Sequence, residues 1–314
     1  MKMNRSRIEN KIDGILLLDK PLDITSNGAL QRVKRLFCAK KAGHTGSLDP
    51  LATGMLPICF GEATKLSQFL LESDKYYQVT ATLGVRTATG DAEGEVISTL
   101  PCDKITAAQI EQVLPQFTGD IQQVPPMYSA LKFQGTPLYK LARQGIEIER
   151  QSRPVTIHSL QLQEFNGNTF KIFVHCTKGT YVRTLVDDIG LALGCGAHVS
   201  ELRRTAVAPY QSDRMYTWDE LEEISQTGGC QALYDCLLPL DTCVQSYPAV
   251  YLNTAAAFYV RTGQPIIAPQ LPTSGLIRLF SDDGEFIGIG EMLDDGRVAP
   301  KRLLGLSKKV AKAV

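Results

Sequence analysis

The chain has 314 residues, 44% of them hydrophobic, and 33 basic side chains balance 33 acidic ones to give no formal net charge at pH 7. That length supports one large domain plus a small one, each with a packed core. The neutral balance excludes a polybasic nucleic-acid binder, so any such affinity has to come from a local surface.

No stretch approaches the roughly 18 apolar residues of a membrane span. Eight scattered cysteines without a signal peptide fit reduced thiols in a cytoplasm better than a disulfide scaffold. The first short apolar run, Gly14 to Leu18, is cut off by Asp19 and Lys20 too early for a secretory segment and reads as a buried strand. Ser26 is placed to cap a helix whose Leu30, Val33, Leu36 and Phe37 share one face. Arg32, Lys34, Arg35, Lys40 and Lys41 form a basic run over its end, and a glycine-rich loop follows.

Tyr77 to Leu83 alternates as a strand, and Thr106 with Gln109 makes a capping box for a helix carrying Ile110, Val113, Leu114 and Phe117. Strands near Val155 to Phe165 and Phe170 to Cys176 precede a helix that starts about Tyr181 and stops at Gly194. Thr217 and Glu220 form a second capping box. Hairpin-like strand pairs mixed with helices indicate an α/β (α+β) domain with a mixed, mostly antiparallel sheet, not a regular βαβ wind. From about Tyr247 the texture changes to short apolar runs punctuated by Pro265, Pro269, Pro272, Asp283-Gly284 and Asp295-Gly296, as in a small β-rich domain. Pro239 to Pro248 is the expected linker, giving domains over 1–248 and 249–314.

Chemistry concentrates in Gly43-His44-Thr45-Gly46-Ser47-Leu48-Asp49-Pro50-Leu51-Ala52-Thr53-Gly54, where glycines and a proline hold one carboxylate beside one imidazole. Taken alone, the segment is equally a tight loop whose aspartate caps a turn. The whole string, however, resembles the catalytic motif of TruB-type tRNA pseudouridine synthases. So do DGILLLDKPLDITS (Asp13 to Ser26), MYSALKFQGTPLYKLAR (Met127 to Arg143), KGTYVRTLVDDIG (Lys178 to Gly190) and CGAHVSELRRT (Cys195 to Thr205). Together they span most of residues 13 to 210. The tail, including Gly296 to Arg302, is more loosely similar to the family's β-barrel-like PUA domain. One departure is Asp23, which stands where a glycine often follows Lys-Pro-x, so that turn is expected to differ in detail.

The resemblance implies isomerisation of a uridine in the tRNA T-loop, at conventional position 55, by a cytoplasmic monomer without cofactor or metal. It implies Asp49 as the catalytic carboxylate, Arg183 as its partner, and Tyr77 as the active-site tyrosine that stacks on the flipped uracil. Tyr181 and Leu202 would line the uracil pocket, His44 would contact RNA beside the flipped nucleotide, and Lys20 and Pro21 would shape the site from behind. Residues 124–153 would be an RNA-contacting clamp bearing Lys132, Lys140, Arg143, Arg150 and Arg153. Arg297, Lys301 and Arg302 would meet tRNA phosphates. A guanidinium beside Asp49 is expected to lower its pKa by roughly 1 to 3 units.

Three other readings are weighed against this one. His175-Cys176 with Cys195-x-x-His198 has the makings of a tetrahedral zinc site, but apolar flanks suit core cysteines and the reaction needs no metal. An RNA-binding protein without catalysis would not require Asp49, Tyr77 and Arg183 together. A retaining glycosidase needs a second carboxylate about 5 Å from the first, and within Gly43 to Gly61 Asp49 is the only acid.

Overall fold

The computed structural model describes residues 10–211, 213–268 and 271–305. Pro269 and the end of the tail after Gly305 lie outside the described residues.

The opening apolar run forms the strand Gly14–Lys20, buried almost throughout, and pairs antiparallel with Ala52–Phe60 from Gly14 opposite Phe60 to Lys20 opposite Gly54. Ala197–Val207 lies next, parallel to Ala52–Phe60, and then come Lys75–Leu83, Thr169–Cys176, Arg153–Asn166 and Gly119–Gln123. The short strand Ala42–His44 is added antiparallel to Ala52–Phe60. All pairings except that of Ala52–Phe60 with Ala197–Val207 are antiparallel, as the order of elements implied.

One face of this sheet packs on helices Ser26–Leu36, Ala107–Val113, Val182–Ala192 and Trp218–Tyr234, sharing a core that includes Val33, Ile110, Val186 and Leu221. Both capping boxes form: Thr106 with Gln109, and Thr217 with Glu220. The first helix is capped by Thr25 instead of Ser26, its hydroxyl accepting from Gly28 N at 3.0 Å. Ser26, one residue on, turns its buried hydroxyl to Leu48, accepting from the amide at 2.7 Å and donating to the carbonyl at 2.9 Å. That exchange ties the helix to the loop carrying Asp49.

In the tail, Ala249–Leu252 runs parallel to Leu276–Ser281, and Phe286–Met292 and Val298–Leu303 continue the sheet antiparallel. Helix Thr254–Arg261 completes a core of Val250, Leu252, Val260, Ile277, Leu279 and Ile287. The expected linker, Pro239 to Pro248, is itself packed. Its Leu240–Val244 turn buries Cys243 and Val244 in a cluster with Ile15, Leu17 and Met55 of the main sheet and Ile289 and Leu304 of the tail. Among the described residues no helix is long and apolar enough to cross a membrane.

Because Ile289 sits fully buried in that shared cluster, Ile289→Ala should cost about 2 to 5 kcal/mol and lower the melting temperature of the main sheet along with the tail. Fluorescence of Trp218, which packs against the main core, monitors this; an unchanged Trp218 transition would mean that the tail unfolds on its own.

Candidate active site

The loop from Gly43 to Gly54 is shaped by what lies beneath it. Lys20 is fully buried, and its ammonium donates to the carbonyls of Pro21 (2.7 Å), Ile24 (2.8 Å) and Pro50 (3.3 Å). Burial depresses its pKa to about 8, against the attraction of Asp49 and Asp23. Arg204, also buried, donates from Nε to Met55 O (2.7 Å) and from Nη2 to Gly46 O (2.9 Å). Gly54 is required where the strand Ala52–Phe60 passes Arg204, since a Cβ there would lie 2.2 Å from the Arg204 carbonyl oxygen, at φ +99°. These supports leave Asp49 in a turn closed by Ala52 N donating to Asp49 O.

Pro21 itself is exposed and contributes through its carbonyl. Asp23 takes φ +60° and donates its amide to Pro50 O. It therefore adopts the left-handed conformation a glycine would take, which aspartate tolerates better than most side chains. The expected difference in that turn does not materialise in this backbone angle.

Arg183 lies in the first turn of Val182–Ala192 with its side chain buried. Its Nε is 3.0 Å from Asp49 Oδ2, its Nη1 donates to Thr89 O (2.7 Å) and lies 3.4 Å from Asp91 Oδ2, and its Nη2 donates to Tyr128 O (2.9 Å). One guanidinium thus joins two carboxylates and the base of the 124–153 segment. A groove of about 640 Å³ runs between that segment and the helix, with Arg183, Thr89, Gly90 and Tyr128 in its wall.

The electrostatics differ from the sequence expectation. Desolvation raises the Asp49 pKa above the ordinary carboxylate value; Arg183 and Lys20 pull it back, but Asp91 pushes it further up. Burial and the Asp91 charge were not legible beside the motif, and together they reverse the expected downward shift. Tyr77, opposite Arg204 across adjacent strands, is hydrogen-bonded by the Arg204 side chain, and burial holds its hydroxyl above the usual tyrosine pKa despite that cation. It is a neutral donor at neutral pH. His44 ends the strand Ala42–His44; burial and Arg204 depress its pKa, and its Nδ1 is buried without a hydrogen-bond partner.

Tyr181 precedes the arginine helix, and buried Gln123 brackets its backbone, accepting from Tyr181 N (2.7 Å) and donating to Tyr181 O (3.1 Å). Leu202 is buried opposite Ala52 and Val79. The fold therefore gathers Asp49, Arg183, Lys20, Arg204 and Tyr77 through direct contacts or mutual fields, with His44 and Leu202 on neighbouring strands.

The suggested zinc ligands do not converge. His175 lies opposite Tyr76 and His198 opposite Thr82, six residues apart along one strand, or about 20 Å. Cys176 Sγ points to Lys75 O, and His198 Nδ1 contacts Val85 O.

The geometry can be set beside proteins of known type. Residues 34–182 match the model for the TruB family pseudouridylate synthase N-terminal domain. Residues 183–245 match the tRNA pseudouridylate synthase B C-terminal domain, and 248–304 the C-terminal model of pseudouridine synthase II TruB. The chain is 56% identical to tRNA pseudouridine synthase B of Coxiella burnetii (strain RSA 331 / Henzerling II) over 293 residues, 93% of this chain and 95% of that one. It is 55% identical to tRNA pseudouridine synthase B of Ectopseudomonas mendocina (strain ymp), over 95% and 97% of the two chains. The chain belongs to the TruB family of pseudouridine synthases.

Among solved structures, a chain of a Cbf5-Nop10-Gar1 complex superposes with TM-score 0.71 at 26% identity, covering 94% of this chain and 84% of that one. A chain of an H/ACA RNP bound to a substrate RNA containing 2'-deoxyuridine shares the fold with TM-score 0.72 at 24% identity, covering 94% and 86%. As a TruB-family member the protein is an RNA-modifying isomerase, which fits a site built around a carboxylate, a guanidinium and a neutral tyrosine.

Asp91 and Arg204 are the residues that sequence reasoning missed, and Asp91 bears on the alternative chemistry. It is a second carboxylate in the field of Asp49, yet it is unsuited to a glycosidase's work. Its side chain is 4% exposed, its Oδ1 accepts from Thr89 Oγ1 and Glu93 N, and Arg183 stands between it and Asp49. In this site Asp91 helps to hold the arginine, its Oδ2 3.4 Å from Arg183 Nη1. The only advance sign was an acid in the turn Thr89-Gly90-Asp91-Ala92-Glu93-Gly94.

Since Asp91 raises the Asp49 pKa, Asp91→Asn should lower it, and freeing Arg183 acts in the same direction. Carboxyl NMR titration of the RNA-free protein should show Asp49 protonating at a lower pH in the variant. An unchanged or higher midpoint would show that Asp91 does not act on Asp49.

Proposed function

We propose that the protein converts the uridine at position 55 in the tRNA T-loop to pseudouridine, with Asp49 as the catalytic carboxylate. The observation that carries this reading is the Asp49–Arg183 pair, 3.0 Å apart at a half-open mouth, with the arginine buried and the carboxylate side chain 43% exposed. The side that faces substrate is the carboxylate.

The reaction breaks the N1–C1′ bond, turns the uracil and rejoins it through C5, so C5 loses a proton and N1 gains one. The nucleotide first leaves its stack, at a cost of a few kcal/mol. Ionised Asp49 then acts at C1′, on the ring or on a sugar proton, while Arg183 keeps it charged and oriented. Tyr77, neutral and aimed by Arg204, stacks on the base and handles the proton at C5. Tyr181 and Leu202 enclose the uracil edges. His44, with its unpartnered Nδ1, contacts the RNA beside the extruded nucleotide.

Residues 124–153 act as the clamp. The turn Gln134-Gly135, both at positive φ, projects a two-residue-strand hairpin with exposed Lys132 and Phe133, while Tyr128 O anchors its base to Arg183. The protein works in the cytoplasm as a monomer, with a PUA-like unit over residues 249–314 assisting tRNA binding.

Asp49→Asn keeps the side-chain shape and removes the nucleophile or base, so isomerisation should fall to the limit of detection with tRNA affinity within a few-fold. Turnover by a preparation shown free of deamidation would remove Asp49 from the chemistry. Tyr77→Phe should keep stacking, worth about 1 to 3 kcal/mol, and lose turnover by a much larger factor than affinity. Equal losses in single-turnover rate and binding would reduce Tyr77 to a platform.

A further inference from the structure

The strand that carries Tyr77 bears a second cluster on its other face. Alternation turns Tyr76 away from Tyr77, and on the adjoining strand His175 stacks on Tyr76 with ring centroids 4.1 Å apart and planes 13° from parallel. His158 sits where the register of Arg153–Asn166 shifts between Ile157 and Ser159. It is the extra residue of a bulge, a device that re-aims a side chain, and its ring lies 4.5 Å from that of His175. Asp74, immediately before Lys75–Leu83, completes the group. Its Oδ2 is 3.2 Å from His158 Nε2 and 3.4 Å from His175 Nε2. One donor atom from each residue lies within 4.8 Å of the other two.

An ordinary Asp–His ion pair does not account for this arrangement. Two imidazoles converge on one carboxylate oxygen, and protonating both would place like charges a ring-width apart. His175 Nε2 is buried, and its 3.4 Å approach to Asp74 Oδ2 is too poorly aligned to satisfy it as a hydrogen bond. Burial and the neighbouring His158 also depress the His175 pKa, favouring the neutral imidazole that binds metals.

The spacing suits an ion. Zinc bonds of about 2.0 to 2.1 Å in a tetrahedron separate donor atoms by roughly 3.3 Å, and the two contacts to Asp74 bracket that value at 3.2 and 3.4 Å. Orientation is fixed from outside as well, because Gln211 Nε2 donates to Tyr76 Oη at 2.7 Å and Tyr76 holds the His175 ring by stacking. The His158 and Asp74 side chains are 37% and 36% exposed, leaving a path for the ion and a position for water.

We propose that Asp74, His158 and His175 form a binding site for a divalent transition ion of the zinc type, a structural clip across three strands behind Tyr77. His175 belonged to the zinc reading of the sequence, but with other partners. Its neighbour Cys176 faces the opposite side, and the true companions come from 17 and 101 positions away in the chain. The ion would hold strands together and stand apart from the isomerisation.

The test uses full-length protein, stripped with a chelator and titrated with Zn²⁺ by calorimetry and with Co²⁺ by visible absorption. Because eight thiols also bind these ions, wild type is compared with His158→Gln/His175→Gln. The wild type should take up one more equivalent than the double variant, show a cobalt spectrum the variant lacks, and melt several degrees higher with zinc, while the variant's melting temperature stays put. Equal stoichiometry in the two proteins, or no zinc-dependent rise in wild type, would overturn the site. If the double variant fails to fold, the exposed single change His158→Gln decides the matter by the same readings.

Discussion

The loop bearing Asp49 is held from below by side chains bonded to its main chain: Lys20 to Pro50 O, Ser26 to both polar atoms of Leu48, and Arg204 to Gly46 O and Met55 O. Charge-assisted bonds of this kind contribute about 1.5 to 3 kcal/mol each when made. Their larger effect is the penalty for unmaking them. If the loop slipped by one peptide, a buried ammonium or guanidinium would lose its acceptors where water cannot replace them. Lys20 already shows the cost of its position in a pKa brought down to about 8. The loop keeps its place because slipping strands a buried cation.

Arg183 repeats this logic at the mouth of the site with carboxylates included. Asp91, Thr89 O and Tyr128 O fix three of its directions inside the protein, and Asp49 takes the outward one. A guanidinium satisfied on its inner edge does not swing to follow a substrate phosphate. Asp91 also raises the cost of ionising Asp49, so the outward carboxylate is poised closer to neutrality than an isolated Asp49–Arg183 pair would leave it. Tyr128 makes the same arginine the root of the 124–153 segment, which couples that segment's footing to the carboxylate's orientation.

Local signals with a short reach were legible in the sequence: both capping boxes, the stop at Gly194 and the alternation from Tyr77. Two central strands were not. Ala52–Phe60 is unbroken by any polar side chain from Gly54 onward and contains Pro57, and Ala197–Val207 places Arg204 between Leu202 and Ala206 on the buried side, so a period-two pattern reads as broken. Asp49, Tyr77 and Arg183 stood out because their motifs resemble a family, and periodicity alone would have left each a loop or core residue. Asp91 carried no such mark, since only the fold brings the turn at Thr89 to Gly94 against the arginine helix. Composition marked Pro239 to Pro248 as a linker but could not register that its Cys243 and Val244 pack between two sheets.

A chain of zero net charge that meets a polyanion must keep some cations unspent, and their distribution bears on where RNA is gripped. In the tail, Arg297 is paired with Asp295 at 2.6 Å and Lys301 with Glu291 at 2.7 Å. Such exposed pairs are worth less than about 1 kcal/mol, so a phosphate displaces them easily but must then sit beside the carboxylate it displaced. Lys40, Lys41, Lys132 and Lys140 are exposed and make no ion pair among the described residues. They lie on the two segments that flank the Asp49 loop and the Arg183 root. A phosphate there meets positive charge that no salt bridge among the described residues has neutralised, although Lys41 lies in the field of Glu62, and its binding releases counterions. These lysines concentrate unpaired positive charge on the catalytic half, the tail adds exposed Arg302, which makes no ion pair among the described residues, and the tail also shares a core with the main sheet.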